Sequence, residues 1–543
     1  MSTSPVSDLD PSARPRAYRP ADRAVPLVGH TIGELLGIRA GEHPDREAVI
    51  GVRHGTDRIE RLTYAELLDE ADRVAAALAV LVEPGDMVAL WAPNVIEWTV
   101  IQYGAALAGV VLVALNPVLR HDELEYALRH SRARLLLHAD NSRGYEMGAV
   151  AESVCGSIPG IQRISLSQPW LAPSGSAASD IGTDADSPVM LQYTSGTTGR
   201  PKGVLLTHRA LINVAKLTMQ AARVAEGAIC CNPLPLFHTA GCVIATLGPL
   251  WVAGTVVLSE RFSPETALET LRRENVSVLF YVPAVLHALL QRQADEGRPA
   301  PRLDVIMGGA ATVSSELIDG AAKVFGARVH NLYGQTELAP VVSLTRPEDS
   351  RHDQLHTVGR PLPQLDCKVI DPGTGAVVAI GQVGEICARG YQQFVEYLHD
   401  PDATAAAVDP EGFVRTGDLG TMDERGFLRV TGRLKELIIR GGENIAPAEV
   451  ESVIAQHDDV LDVVAVGLPD ERMGEIVAVV CRVGGRVRVS LRDSLVAYAR
   501  DRLPAYKVPA RWFLIDEFPR TPTGKVQRFA LREAALAQEL SEL

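Results

Sequence analysis

The segment from Tyr193 to Gly203 constrains this chain most, because it concentrates glycines, hydroxyls and cations in eleven positions. It holds three glycines, four serine or threonine residues, Arg200 and Lys202. Glycines let backbone N–H groups approach an anion closely, hydroxyl groups add neutral donors, and the two cations add charge. A Gly/Ser/Thr-rich stretch is also typical of a flexible linker. However, apolar runs that end at Leu191 and begin at Val204 indicate buried strands on both sides, so we predict a polyphosphate-binding loop.

The residues after this loop distinguish it from the phosphate loop of kinases and GTPases. That loop ends in Gly-Lys-Ser/Thr and opens directly into a helix. Here Lys202 lies between Pro201 and Gly203, and β-type residues occupy positions 204–206. The pattern therefore predicts a loop that joins one strand to another.

Alternating apolar patterns predict an α/β fold class. Thr63 and Glu66 form a capping-box pattern at the start of an apolar repeat of helical spacing, and Met87 to Trp91 has the pattern of a short strand. This alternation predicts a large layered domain with helices on largely parallel sheets. After Lys435 the pattern changes to a shorter arrangement, which predicts a small α+β domain.

The stretch between Glu97 and Arg120 contains no charged residue, and its length is about that needed to cross a bilayer. Gly109 and Asn116-Pro117 divide it into two parts. We therefore predict a buried helix followed by a buried strand, with no membrane span.

The chain length of 543 residues requires more than one core. We predict a disordered tail over residues 1–25, a large N-terminal domain over residues 26–434 and a small C-terminal domain over residues 435–543. The tail is rich in Ser, Pro, Asp and Arg and lacks the apolar centre of a signal peptide.

Charge and cysteine content restrict the partners and the compartment. A formal net charge of −14 argues against a general binder of nucleic acids or membrane surfaces. The seven cysteines are scattered and include no Cys-x-x-Cys pair, which is typical of buried thiols in a reducing compartment rather than of a disulfide framework or a zinc site. We therefore expect a cytoplasmic protein.

His352 and His356 have the i, i+4 spacing that would place two imidazoles on one face of a helix. Gly359-Arg360-Pro361 follows at once, and no third metal ligand is apparent in the sequence. We therefore predict a loop at this segment rather than a zinc site.

Four further segments place polar groups beside predicted strands or turns. A lone histidine, glutamate or lysine in such a place is more often structural or solvated than catalytic. A carboxylate at a tight turn, as at Asp418, can accept hydrogen bonds from both hydroxyls of a ribose. The four segments are Asn232–Gly241, Val329–Glu337, Arg415–Leu419 and Pro519–Val526.

Together with the loop at Tyr193 to Gly203, these segments resemble the motifs of the acyl-adenylate-forming superfamily. That superfamily includes acyl-CoA synthetases, peptide-synthetase adenylation domains and luciferases. The resemblance runs from about Leu62 to Arg528, with at least six motifs in the expected order. One departure is Glu396, which stands before Tyr397 where many members have glycine.

The resemblance implies a site for ATP and magnesium. Tyr333 would pack on adenine, Thr336 would reach the α-phosphate, and Glu337 with Thr194 would hold Mg²⁺, which prefers hard oxygen ligands. The other residues implied for binding ATP or AMP are Ser195, Gly196, Thr197, Thr198, Lys202, Gly309, Ala310, Asn331 and Gly334, with Asp418 and Arg433 on the ribose and phosphate.

The resemblance also implies where the acid and CoA bind. His238 would lie over the reacting carboxylate as a positioning group, and Lys525 would be the catalytic cation. The small domain would rotate at a hinge near Lys435 and bring Gly441 and Gly442 to the pantetheine of CoA.

The expected acyl pocket contains Phe237, and the other positions expected to face the acyl group are small or apolar. We therefore expect a bulky hydrophobic acid, whether fatty, aryl or polycyclic, and no charged partner for the ammonium group of an amino acid. These positions are Gly241, Cys242, Gly308, Gly309, Ala310, Ala339, Val341 and Val342.

The implied reaction joins a hydrophobic carboxylic acid to CoA through acyl-AMP, with ATP, Mg²⁺ and CoA as cofactors and no nucleic-acid partner. Four alternatives stay open: loading of a carrier protein instead of CoA, catalysis of one half-reaction only, nonenzymatic nucleotide binding or scaffolding, and an oxidative light-producing reaction. Retention of Lys525, Glu337 and Asp418 disfavours the nonenzymatic alternative.

Overall fold

The computed structural model describes residues 15–176, 182–194, 201–309, 313–441, 443–484, 490–520 and 526–543. The chain divides into two compact units. The larger unit comprises Pro20–Asp366 and Ala388–Val414. The smaller unit comprises Cys367–Cys387, Arg415–Leu543 and the N-terminal residues through Arg19.

The described residues contain fifteen α-helices. In chain order they are α1 Ile32–Glu42, α2 Tyr64–Leu81, α3 Ile96–Leu107, α4 His121–Ser131, α5 Met147–Ser157, α6 His208–Ala221, α7 Leu247–Trp251, α8 Pro264–Arg273, α9 Pro283–Glu296, α10 Ser315–Phe325, α11 Arg351–His356, α12 Pro401–Ala407, α13 Pro447–Ile454, α14 Leu491–Arg502 and α15 Arg528–Leu536. A π-helical turn covers Ala240–Ile244, and 3₁₀ turns cover Thr336–Leu338 and Leu434–Glu436.

The same residues form 26 strands. In chain order they are β1 Tyr18–Arg19, β2 Glu47–Val52, β3 Ile59–Thr63, β4 Met87–Trp91, β5 Val111–Leu115, β6 Leu135–His138, β7 Gln162–Ser165, β8 Pro188–Thr194, β9 Lys202–Thr207, β10 Ile229–Asn232, β11 Thr255–Leu258, β12 Val278–Tyr281, β13 Val305–Gly309, β14 Arg328–Tyr333, β15 Ser343–Leu344, β16 Arg360–Pro361, β17 Leu365–Ile370, β18 Gly384–Gly390, β19 Val414–Met422, β20 Leu428–Arg433, β21 Ile438–Arg440, β22 Glu443–Ile445, β23 Val460–Asp470, β24 Gly474–Val483, β25 Arg511–Leu514 and β26 Ser541–Glu542.

Two largely parallel sheets form the frame of the larger unit. One has nine strands in the order β16-β15-β14-β13-β12-β10-β11-β2-β3, and the other has six strands in the order β7-β6-β4-β5-β8-β9. The interior neighbours run parallel, and antiparallel pairs occur only towards the ends of the described sheets. The predicted fold of helices layered on largely parallel sheets is confirmed.

Local signals explain where the first helices begin. The Thr63 hydroxyl accepts a hydrogen bond from the Glu66 N–H, and the Glu66 carboxylate accepts one from the Thr63 N–H, so the predicted capping box starts α2. The uncharged stretch forms α3 and β5, as predicted. All five residues of β5 are buried, because a central parallel strand is covered on both faces.

In the described part of the chain, no helix is both long enough and apolar enough to cross a membrane.

A continuous apolar core supports the nine-stranded sheet. It packs side chains of β12, β13 and β14 against one face of α8, α9 and α10, and each fully buried aliphatic side chain contributes about 1.5–3 kcal/mol. The buried residues include Leu268, Leu271, Leu279, Leu286, Leu289, Ile306, Ile318, Phe325 and Val329. On α8, α9 and α10 the buried residues recur at i, i+3 and i+4 spacing, so they form the face that packs against the sheet. The carboxyl ends of the strands are free to carry polar groups.

The smaller unit contains two further sheets. One has the order β1-β17-β18-β19-β20, and the other has the order β22-β21-β24-β25-β26 with β23 paired to β24. Helices α13 and α14 cover the second sheet through Val450, Ile454 and Leu495, which pack with the buried Trp512. After Lys435 the chain forms helices α13 to α15 and strands β21 to β26, which is the mixed α+β composition predicted there.

Two expectations need correction. Residues 17–19 are not part of a disordered tail, since β1 pairs antiparallel with β17 and the Ala17 N–H donates to the Val378 carbonyl at 2.9 Å. Polar composition concealed this strand because main-chain hydrogen bonds need no apolar side chain.

The segment that contains His352 and His356 is the helix α11, not a loop. The Ser350 hydroxyl accepts a hydrogen bond from the Asp353 N–H and so supplies the N-cap that the prediction overlooked. The two imidazole centroids lie 4.6 Å apart. Among the described residues, no group of three His, Cys, Asp or Glu side chains is placed to hold a metal ion.

Candidate functional site

The predicted phosphate loop connects two strands that form a β-hairpin. Strands β8 and β9 pair antiparallel, and Thr194 opposite Lys202 is their last pair. The prediction that the loop joins strand to strand is confirmed. The predicted site residues Ser195, Gly196, Thr197 and Thr198, together with Ala310, Gly442 and Lys525, lie outside the described residues.

A second group of predicted residues lies at the carboxyl ends of β13 and β14. These strands run parallel, with Gly308 opposite Asn331, and the carboxyl edge of a parallel sheet is the usual place for a ligand. A Cβ atom on Gly309 would lie 2.0 Å from the Leu332 carbonyl oxygen, and one on Gly334 would lie 1.9 Å from the Pro340 carbonyl oxygen. Only glycine allows these close backbone approaches.

Asn331 and Tyr333 are both anchored at this edge. The Asn331 N–H donates to the Thr345 hydroxyl at 3.0 Å, and the Val342 N–H donates to the Tyr333 carbonyl at 2.8 Å. Tyr333 is only partly buried. The structure therefore holds these two predicted ATP contacts at the same edge of the sheet.

Glu337 follows on the 3₁₀ turn Thr336–Leu338, where Thr336 is 8% exposed. One carboxylate oxygen of Glu337, Oε1, accepts a hydrogen bond of 2.7 Å from the Tyr397 hydroxyl. Within the described residues, no cationic side chain forms an ion pair with Glu337. A carboxylate that forms no ion pair with a described cation, and that has one oxygen bound by a neutral donor, is suited to a divalent cation.

Sequence reasoning missed Tyr397. Its ring centroid lies 4.7 Å from Lys202 Nζ, which also lies 4.0 Å from Asp400 Oδ2. Burial, reinforced by the negative charges of Glu337 and Asp400, raises the pKa of the Tyr397 phenol above its ordinary value. The phenol is therefore neutral and donates its proton to the hydrogen bond with Glu337.

The backbone of Glu396 explains why this position, where many members of the resembled family have glycine, can hold a glutamate. The Leu205 N–H donates to the Glu396 carbonyl at 3.1 Å, so this residue extends alongside β9. Glu396 does not adopt the left-handed backbone conformation that favours glycine. The sequence signal for Tyr397 was present in this departure, but only the fold shows which strand the segment adjoins.

The expected acyl pocket is built around a stiff turn. Phe237 and His238 are half-buried, and the Ala240 N–H donates to His238 Nδ1 at 3.2 Å. Because Nδ1 is the acceptor of that hydrogen bond, Nε2 carries the proton of the neutral ring. The carbonyl of His238 accepts hydrogen bonds from the N–H groups of Gly241 and Cys242, which fixes the π-helical turn behind it.

Small residues in this region are required by backbone packing. A Cβ atom on Gly241 would lie 2.1 Å from the Pro235 carbonyl oxygen, and one on Gly308 would lie 1.9 Å from the Tyr281 carbonyl oxygen. Val341 is 3% exposed, and its carbonyl accepts a hydrogen bond from the Gln392 amide. The residues expected to line the acyl pocket are therefore tightly packed as well as apolar.

Cys242 is a structural thiol. Its sulfur lies 3.7 Å from Met190 Sδ and 3.4 Å from the amide nitrogen of Gln192. Burial raises the pKa of the Cys242 thiol far above its ordinary value. A protonated thiol is a poor nucleophile, so Cys242 is not suited to carry the acyl group.

The smaller unit brings two predicted ribose contacts together. Asp418 and Arg433 are opposite each other on β19 and β20, with Arg433 Nε 3.0 Å from Asp418 Oδ1. Asp418 is buried, and its N–H donates to the Thr416 hydroxyl at 3.1 Å. Asp418 lies within strand β19 and not at the tight turn that the sequence suggested, although the preceding Gly417 has a φ of 69°, which favours glycine.

The segment near the predicted hinge is anchored by Arg528. Its guanidinium contacts Glu436 at 3.1 Å and binds both oxygens of Glu451. Glu436 belongs to the same 3₁₀ turn as Lys435. Gly441 has a φ of 60° and donates to the Met473 carbonyl at 2.7 Å, so glycine is needed at this predicted CoA position.

Comparison with known proteins identifies two matching families. Residues 37–398 match the family described as AMP-binding enzyme, and residues 449–525 match the AMP-binding enzyme C-terminal domain. Among curated relatives, "Putative acyl-CoA synthetase YngI" of Bacillus subtilis (strain 168) is 35% identical over 94% of this chain and 98% of that protein. "Medium-chain acyl-CoA ligase ACSF2, mitochondrial" of Rattus norvegicus is 31% identical over 93% of this chain and 88% of that protein.

Solved structures agree with these matches. The o-succinylbenzoate CoA synthetase MenE of Bacillus subtilis, in complex with the acyl-adenylate intermediate OSB-AMP, has a TM-score of 0.80 at 29% identity, covering 93% of this chain and 99% of that one. A Mycobacterium tuberculosis fatty acyl CoA synthetase has a TM-score of 0.72 at 29% identity, covering 94% of this chain and 99% of that one.

Proposed function

This chain belongs to the AMP-binding enzyme family, and we propose that it is an AMP-forming acyl-CoA synthetase that ligates a hydrophobic carboxylic acid to CoA. In the first half-reaction, a carboxylate oxygen bonds to the α-phosphorus of ATP while the bond to pyrophosphate breaks. In the second, the CoA sulfur bonds to the acyl carbon, its proton passes to solvent, and the bond between the acyl carbon and AMP breaks.

The arrangement of Glu337 beside the phosphate hairpin carries this proposal. Tyr397 joins the two, since its hydroxyl binds Glu337 and its ring lies against Lys202. The acid and the triphosphate are both anions, so their approach is unfavourable until positive charge offsets the repulsion. Lys202 on the hairpin, together with a divalent cation held by Glu337, would supply that charge where the phosphates would lie.

Glu337 and Thr194 fit magnesium because they offer one carboxylate and one hydroxyl, and Mg²⁺ accepts few protein ligands when phosphate oxygens and water complete its shell. Bound there, the ion would neutralise charge on the phosphate oxygens. The protein groups do the remaining work of positioning, which is the main requirement in transfers at phosphorus.

His238 orients the acid in this scheme. Its Nδ1 accepts a hydrogen bond from the Ala240 N–H, which fixes the ring in the turn. A hydrogen bond from the imidazole would hold the substrate carboxylate without removing the charge that makes it a nucleophile. We therefore assign His238 to positioning and not to proton abstraction.

The roles of Asp418, Arg433, Lys525 and the hinge follow the sequence motifs. Asp418 would accept the ribose hydroxyls, with Arg433 as a second contact. Lys525 would stabilise the charge that develops at the α-phosphate. Rotation at Lys435 would then exchange Lys525 for Gly441 and Gly442 at the adenylate, a hinge-type rearrangement.

The substrate that we propose is a medium-chain or aryl hydrophobic acid. The buried Val341 and the close-packed Gly241 and Gly308 favour an apolar chain over a charged one. The relative in Rattus norvegicus is named for medium-chain acids.

Mass spectrometry of reaction products tests the proposal. The protein is mixed with MgATP, CoA and a panel from hexanoate to palmitate, with benzoate and cinnamate as aryl acids. Acyl-CoA and AMP are expected, with the highest yield for medium-chain or aryl acids. Acyl-AMP without acyl-CoA would indicate a carrier-protein acceptor, and thioester formed only from synthetic acyl-AMP would indicate that adenylation is lost.

A further inference from the structure

Tyr397 lies outside the motifs that suggested the site, yet it is the residue that connects two of them. Its segment runs beside β9. Tyr397 forms an isolated antiparallel β-bridge with Val204, and the Leu398 N–H donates to the Gly203 carbonyl at 2.8 Å. The Phe394 N–H donates to the Glu337 carbonyl at 3.0 Å. The segment from Phe394 to Leu398 is therefore tied to the hairpin on one side and to Glu337 on the other.

Hydrogen bonds within the protein fix the backbone of Tyr397. Its N–H donates to the Thr404 hydroxyl at 2.9 Å, and Thr404 lies on α12. That helix is capped by Asp400, whose carboxylate accepts a hydrogen bond from the Ala403 N–H. A side chain held by both a strand contact and a capped helix loses little freedom when it acts on a neighbour.

The ring of Tyr397 has two neighbours of different kinds. Phe394, which is 4% exposed, packs on it with ring centroids 4.9 Å apart. Lys202 Nζ lies 4.7 Å from the ring centroid, within the range of a cation–π contact. Tyr397 therefore contacts a hairpin cation through its ring and Glu337 through its hydroxyl, while Lys202 and Glu337 form no ion pair with each other.

This spacing matters for a cation site. A lysine paired directly with Glu337 would occupy the carboxylate and compete with a divalent ion. The phenol instead binds one oxygen as a neutral donor, which orients the group and leaves its charge in place. Outer partners of this type typically change metal affinity 10- to 100-fold when they are removed.

We propose that Tyr397 is a positioning residue of the divalent-cation site, in which its hydroxyl orients Glu337 and its ring keeps Lys202 near the phosphates without an ion pair to Glu337. The inference rests on the proposed function, because it assigns Glu337 to the cation that accompanies ATP. It adds a residue from beyond the loop and the glutamate motif to that site.

Manganese binding tests this inference without turnover. Mn²⁺ is titrated into the full-length protein with α,β-methylene-ATP, and free Mn²⁺ is measured by electron paramagnetic resonance. Tyr397→Phe removes only the hydroxyl and is expected to weaken Mn²⁺ binding about 10-fold. Affinity for the nucleotide in EDTA should stay unchanged, because the ring that contacts Lys202 is retained.

Tyr126→Phe is the matched control. It deletes the same atom from a tyrosine whose hydroxyl donates to the Pro201 carbonyl of the same hairpin, at 2.9 Å, rather than to Glu337. Its Mn²⁺ affinity should equal that of the wild type. Equal weakening in both variants, or no weakening in Tyr397→Phe, would overturn the proposal.

A double-mutant cycle separates positioning from general damage. In a Glu337→Gln background, Tyr397→Phe should have no further effect on Mn²⁺ affinity, since the group that it orients has lost its charge. An additional loss in that background would overturn the assignment. A wild-type protein that binds no Mn²⁺ with the nucleotide would overturn the proposed function, whereas binding that is unaffected by Tyr397→Phe would overturn this inference alone.

Discussion

Asp418 and Arg433 face each other across β19 and β20, with Arg433 Nε 3.0 Å from Asp418 Oδ1. The carboxylate is buried, while the guanidinium side chain is 51% exposed. The two residues belong to separate motifs in the sequence, but the register of the sheet makes them one unit. A fixed acceptor beside a more mobile cation is a suitable arrangement for a ribose and the phosphate attached to it.

Asp418→Asn should lower the rate of acyl-AMP formation at limiting ATP about 10- to 100-fold, as expected for loss of hydrogen bonds to a charged group. The measurement compares ATP with 3′-deoxy-ATP in steady-state kinetics. The wild type should prefer ATP, and the variant should lose most of that preference. Asp423→Asn, at the turn between the same strands, is the control; a variant at 418 that keeps the full preference for ATP would contradict the ribose role.

Lys525→Ala should reduce adenylation by about 100-fold or more, in the range found for other preorganised charge stabilisers. Formation of thioester from synthetic acyl-AMP and CoA should remain near the wild-type rate, because that half-reaction needs no charge at the α-phosphate. Pyrophosphate release and thioester formation are measured separately. Lys323→Ala removes an exposed lysine of the larger unit and should affect neither, and parallel loss of both half-reactions in Lys525→Ala would refute the division of roles.

His208 makes the stability of the larger unit depend on pH. Its Nδ1 accepts a hydrogen bond of 3.1 Å from the Ile32 N–H, and burial lowers its pKa from 6.5 to about 4. Between these values the unfolded state binds the proton and the folded state does not, so stability falls as pH falls from 6.5 towards 4. The loss attributable to this group is about 2 kcal/mol near pH 5.

Urea unfolding at neutral pH and near pH 5 checks this expectation. His208→Gln keeps an acceptor for Ile32 and should unfold with a shallower pH dependence than the wild type. His30→Gln replaces an exposed histidine and should leave the dependence unchanged. If His208→Gln and the wild type lose equal stability on acidification, the buried imidazole is not the source.

Substitution by alanine should destabilise the protein by different amounts at Gly241 and at Gly248. A Cβ atom on Gly241 would lie 2.1 Å from the Pro235 carbonyl oxygen, whereas one on Gly248 would lie 2.0 Å from Met219 Cε, the end of a flexible side chain. Gly241→Ala should therefore destabilise the protein by about 1–3 kcal/mol, and Gly248→Ala should cost less. Equal shifts in the urea midpoint of Gly241→Ala and Gly248→Ala would contradict this expectation, because they would show that the turn at Pro235 can move to accommodate a Cβ atom.

Local signals allowed much of the fold to be predicted. The capping box at Thr63 and Glu66 acts within one helical turn, and Met87 to Trp91 forms β4 with the predicted bounds. The phosphate hairpin could also be predicted from local signals, since the residues that follow Lys202 are strand formers. Such features depend on neighbours in the chain, which the sequence displays directly.

Contacts between distant segments could not be predicted in this way. Tyr397 and Glu337 lie 60 positions apart, and their hydrogen bond exists because the chain after β18 returns beside β9. The helix at Ser350 was overlooked for a different reason, because the following Gly359-Arg360-Pro361 suggested a loop. For the site, sequence motifs suggested candidate residues, whereas the hydrogen bond between Tyr397 and Glu337 could be found only from the fold.

The pairing of β1 with β17 has a consequence for synthesis of the chain. Tyr18 leaves the ribosome early, but its partner Lys368 follows only after tens of seconds at about 5–20 residues per second. The larger unit contains most of the intervening residues and can fold during that interval. Tyr18 and Arg19 can therefore pair with β17 only after most of the larger unit has been synthesised.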